Sequence, residues 1–107
     1  MCFYIMDEIQ LESVKYIADL ALIREANSIT HNQLVELFDS IDCLTLDELS
    51  VLFAVFCVGK SGEITKYSTY LKQALNLGFP LVDKLFNNLQ LGILLTNGLK
   101  ELGAINT

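Results

Sequence analysis

Along most of the chain apolar residues recur every three or four positions, the spacing of helices that each bury one face. From about Asp7 to Ala26, the side chains of Glu8, Glu12, Lys15 and Asp19 fall on one narrow polar stripe. That leaves Leu11, Val14, Ile17, Ala18, Ala21 and Leu22 for burial. A second helix is announced at Thr30, because Gln33 stands three residues on. In this spacing the hydroxyl and the side-chain amide each accept a hydrogen bond from a backbone N–H that the first turn leaves free. Leu34, Leu37, Phe38 and Ile41 then repeat at i, i+3, i+4 and i+7.

The same capping device recurs at Thr45 with Glu48 and opens a third helix. From Leu46 to Val58 only Asp47, Glu48 and Ser50 are polar, so this helix is apolar around nearly its whole circumference and belongs at the centre of the fold. The cap also decides how to read Gly59-Lys60-Ser61, which resembles the end of a phosphate-binding loop. Such a loop follows a strand and needs a glycine five residues earlier, where this chain has Ala54. Gly59 is expected instead to end the helix in a left-handed conformation, with Lys60 at the negative end of its dipole.

A fourth helix is expected from near Gly62 to Leu77, with Ile64, Tyr67, Leu71 and Ala74 inward and Gly78 as its stop. Pro80 fits the first turn of a short fifth helix carrying Leu81, Val82, Leu85, Phe86 and Leu89. Asn97-Gly98 between alternating apolar residues would signal a hairpin, but Leu95, Leu99 and Leu102 keep the helical period. A sixth helix from about Ile93 follows, in which Gly98 would cost about 1 kcal/mol relative to Ala. With one proline, no repeat and no low-complexity tract, residues 1–107 read as one all-α domain. The expected architecture is a compact five- to six-helix bundle around residues 46–58.

Composition narrows the function classes. Hydrophobic residues make up 52% of the chain and charged residues 19%, an apolar excess for a domain of this size. No apolar stretch approaches the ~20 residues of a membrane span, and the opening Met1 to Met6 lacks the basic flank of a secretory signal, so a cytoplasmic location is the expectation. Cys2, Cys43 and Cys57 are odd in number and widely spaced, which signals neither a disulfide framework nor a zinc site. The net charge of -6 is unevenly spread: residues 1–50 hold ten of the thirteen acids and only two of the seven bases. Bases so few and scattered argue against nucleic acid, whose phosphates need clustered Lys and Arg, and favour a basic partner.

Two stretches, "LTLDELSVLFAVFCVGKSGE" and the later "LGILLTNGLKELG", are similar to an uncharacterised bacterial family, the domain of unknown function 3775. The likeness covers Leu44 to Gly103, and more loosely the first helix around "LESVKYIADLA". Cys57 stands where that family usually has Trp, Lys60 where it has Arg, and Gly92 to Leu95 lack the family's proline. The shared Gly59 and Gly98-Leu99 are structural positions, so the resemblance implies an all-helical fold and no activity.

Candidate chemistry is sparse. His31, the only histidine, falls in the first turn of the second helix with no nucleophile or acid placed beside it by the sequence, which is the position of an exposed helix-start residue. Asp39, Asp42, Asp47 and Glu48 gather around the turn between the second and third helices. Their spacing lacks the alternating ligands, central glycine and closing Glu of a calcium loop, and capping with a solvated acidic face accounts for them. Cys57 lies near a helix C-terminus, which disfavours a thiolate and points to packing. Tyr67 and Tyr70, near Lys66 and Lys72, read as one core ring and one surface ring.

No metal or cofactor is implied and catalysis is not expected. The leading reading is a small non-catalytic interaction or regulatory protein that forms a homo-oligomer or binds a basic protein, with Glu36, Asp39, Asp42, Asp47 and Glu48 as its candidate surface. Its rivals are a carrier holding a small apolar ligand between helices and, third, an enzyme centred on His31.

Overall fold

Residues 7–104, the part of the chain described by the computed structural model, form six α-helices and a single 3-10 turn. Met1 to Met6, read above as no secretory signal, and with them Cys2, lie outside the described residues. The helices are α1 (Glu8–Glu25), α2 (His31–Asp42), α3 (Leu46–Ser61), α4 (Tyr67–Leu77), α5 (Leu81–Phe86) and α6 (Leu91–Glu101), with the 3-10 turn at Ile64–Lys66. No strand occurs among the described residues, so the all-α expectation holds.

The caps explain why the first three helices start where they do. Thr30 Oγ1 accepts from the Gln33 N–H at 3.1 Å while Gln33 Oε1 accepts from the Thr30 N–H at 3.0 Å. Thr45 and Glu48 repeat the exchange at 3.2 and 2.8 Å. A third box opens α1: Asp7 accepts from the Gln10 N–H at 2.8 Å and Gln10 returns the bond at 3.2 Å. Asp7 with Gln10 departs from the threonine-led spacing of the other two boxes, so the sequence did not announce this one.

The third helix is the axis of the bundle. Every residue from Leu49 to Phe56, and Val58, is buried, Ser50 included, whose hydroxyl donates to the Asp47 carbonyl at 2.6 Å. The most extensive packing against this axis is by α6 and α4; α1 packs on α6 and α2, and α5 contacts α2 and α3. One continuous core draws side chains from all six helices.

Six local expectations change. Gly59 does not end α3, which continues through Lys60 and Ser61 and stops at Gly62, where φ is 74°. Gly59 is instead a contact point: a Cβ there would overlap the Leu94 carbonyl and come within 2.9 Å of the Gly98 amide nitrogen. Gly98 is its counterpart, since a Cβ would overlap the Val55 carbonyl oxygen, so the residue expected to weaken α6 is the one that lets α6 approach α3.

The fourth helix begins only at Tyr67, because the turn at Gly62 is followed by the 3-10 segment. The sixth starts at Leu91, two residues earlier than the period suggested, and Leu89 falls in the connection and is 71% exposed. Leu22, expected inside, is exposed at the edge of α1, where Gly92 brings α6 against the backbone of Ala21 and Leu22.

Candidate functional site

Three of the acidic residues lie on α2 and one opens α3. Glu36, Asp39 and Asp42 are exposed on α2, and Asp47 is exposed in the first turn of α3, where the helix dipole favours a negative charge. Among the described residues none of these four carboxylates forms an ion pair; the one such pair is Lys66 with Glu63 at 3.1 Å. Glu48 differs from them. It is half-buried and its Oε1 is engaged by the Thr45 N–H, so it serves first as a cap.

Beside this corner runs a groove of ≈ 350 Å³ between α1 and the α2–α3 connection, lined by Ser13, Tyr16, Ile17, Ser40, Cys43, Leu44 and Glu48. Sequence reasoning did not find it, because Ser13 and Tyr16 carry no periodic signal linking them to Ser40 and Cys43 in another helix. Ser40 and Cys43 follow Glu36 by four and seven residues, so carboxylate and groove share one side of α2. Cys43 is an exposed free thiol whose Sγ donates weakly to the Ser40 carbonyl at 3.6 Å. Beneath the groove a space of ≈ 10 Å³, about one water-sized sphere, reaches Val14, Val51 and Leu52 in the core.

The opposite end of α1 has a structural role that the sequence did not announce. Arg24 donates from Nη1 to the Phe86 carbonyl at 2.7 Å and from Nη2 to the Asn88 carbonyl at 2.9 Å, satisfying the end of α5. The guanidinium lies 5.2 Å from the centroid of the Phe86 ring, which meets Phe38 edge-on at 5.1 Å. Its Nε is buried without a hydrogen-bond partner. Burial pulls the Arg24 pKa down while the neighbouring Glu25 pulls it up. Glu25 in turn accepts from the Ile93 N–H at 3.1 Å, in the first turn of α6. Two adjacent residues therefore fix the α5–α6 corner.

The remaining candidates are dispersed. His31 is exposed as the first residue of α2 and makes no side-chain hydrogen bond among the described residues. Tyr67 is buried and Tyr70 half-buried, its hydroxyl 3.0 Å from Ser61 Oγ. Among the described residues no three His, Cys, Asp or Glu side chains converge closely enough to hold a metal ion, and no helix is long and apolar enough to cross a membrane.

Cys57 is half-buried, and burial pushes its thiol up from 9.0 to about 11, against the opposing pull of Lys60 and Lys84. Between those values the unfolded chain gives up the proton while the folded chain keeps it, so stability is lost as pH rises above about 9. Urea unfolding at pH 8 and pH 10.5 should show a smaller alkaline loss for Cys57→Ala than for the parent; equal losses would contradict the burial of this thiol.

Comparison with family models, with curated proteins and with solved structures finds no match for the chain.

Proposed function

We propose that the chain is a cytoplasmic, non-catalytic protein-interaction module that docks a basic partner on its α2–α3 corner. The observation that carries this reading is the set of exposed, unpaired carboxylates at Glu36, Asp39, Asp42 and Asp47 beside an open groove. Unpaired like charges on one surface raise its negative potential, which steers a cationic partner and is relieved when that partner arrives. No comparable acidic surface is available on the second half of the chain, which has three acids and five bases. The kinship with the domain of unknown function 3775 is part of the same proposal and rests on the residues already given.

The test is the salt dependence of binding to an oligolysine peptide, compared between the parent and the variant Glu36→Gln/Asp39→Asn/Asp42→Asn/Asp47→Asn. We expect affinity to fall as salt rises, and to drop at least about tenfold in the variant at low salt with an unchanged far-UV circular dichroism spectrum. Equal binding by parent and variant would overturn the reading.

A further inference from the structure

We infer that the groove between α1 and the α2–α3 connection seats one apolar side chain of a basic segment in the partner. This rests on the reading above that the partner is basic, and adds to it the place and the chemistry of the anchor. At ≈ 350 Å³ the groove is at the small end of ligand sites, too small for a helix and large enough for one or two side chains. Its apolar lining is Tyr16, Ile17 and Leu44, and Tyr16 keeps 46% of its surface exposed to cover an incoming group. The narrow space below it ends on Val14, Val51 and Leu52, so the floor is core and not solvent.

Charge complementarity selects the occupant. Glu12 stands one turn before Tyr16 on α1, Glu36 and Asp39 one turn before Ser40 and Cys43 on α2, and Glu48 lines the groove itself. The nearest base along α1, Lys15, borders a different groove, with Leu22, Thr96 and Leu99. A segment with lysine or arginine on both sides of an aliphatic residue therefore meets carboxylates at the rim and an apolar floor at the centre. A second copy meeting at this groove about a two-fold axis would set one acidic rim against the other.

The probes are three short fluorescent peptides: a leucine flanked by lysines, a glycine flanked by lysines, and a leucine flanked by glutamines. They are titrated into the full chain carrying Cys2→Ser, and alkylation of Cys43 is followed with and without peptide, half-buried Cys57 serving as the internal reference. We expect the leucine–lysine peptide to bind at least about tenfold more tightly than the glycine–lysine peptide, the factor that burial of one aliphatic side chain supports. At saturation it should slow Cys43 alkylation by about tenfold or more. Ser40→Trp, which fills the groove from its rim, should abolish the preference for leucine while leaving binding of the glycine–lysine peptide in place. Equal affinities of the two lysine peptides, or unprotected Cys43 at saturation, would overturn the groove and leave the acidic corner standing. Failure of both lysine peptides to bind would remove the acidic corner as well. A dimer in sedimentation whose Cys43 is protected without peptide would assign the groove to a second copy and overturn the inference.

Discussion

Replacing Gly98 with Ala is expected to destabilise the protein by about 3 kcal/mol, even though Ala is the better helix former by about 1 kcal/mol. The reason is position. A Cβ at Gly98 would overlap the Val55 carbonyl oxygen and lie 2.9 Å from the Val55 carbonyl carbon, which are backbone atoms of α3 and cannot rotate away. Gly59 meets the reciprocal wall, the Leu94 carbonyl of α6, so Gly59→Ala should cost a similar amount. To admit either methyl the two helices must separate, and their contact carries Leu52, Val55, Leu95 and Leu99, each at most 1% exposed. Because both substitutions force the same separation, the double variant should lose less than the sum of the two singles. Urea unfolding of the three variants gives the answer: a stabilisation near the propensity value for Gly98→Ala would mean that α3 and α6 do not approach as closely as described.

That pair also marks what periodicity conveys and what it does not. Leu95, Leu99 and Leu102 placed α6 correctly as a helix with an inward face, because the spacing of apolar residues responds to which side is dry. The spacing says nothing about the distance to the neighbouring helix, so Gly98 looked like a weakness and Gly59 like a stop. Capping boxes were legible at Thr30 and Thr45 because donor and acceptor sit three residues apart in sequence. The groove was not legible, since Tyr16 and Cys43 are brought together only by the packing of α1 on α2. The spacing from Thr45 already set Glu48 apart as a cap, but only the fold shows that Asp39 and Asp47 are exposed and, among the described residues, form no ion pair.

The corner held by Arg24 shows the same limit from the side of stability. A lone arginine in the last turn of a helix suggests a cation complementing its own helix dipole. Here its two amino groups reach the carbonyls of Phe86 and Asn88, more than sixty positions along the chain. Each is a hydrogen bond from a charged donor, contributing about 1.5–3 kcal/mol, and loss of the donor strips the Phe86 carbonyl of its bond and leaves the Asn88 carbonyl with the Leu91 N–H alone. Arg24→Met keeps most of the aliphatic stem and removes the fork, and is expected to destabilise by about 3 kcal/mol, measured by urea unfolding. Arg24→Lys keeps the charge but presents a single ammonium, which cannot span both carbonyls in the geometry of the guanidinium, so about half the loss should remain. Amide exchange supplies the readout that separates this clamp from a general loosening: in Arg24→Met the amides from Lys84 to Leu94 should exchange faster relative to those at the centre of α3. A uniform change across the protein, or a loss below about 0.5 kcal/mol, would show that the corner is held by Phe38, Phe86 and Glu25 without the arginine.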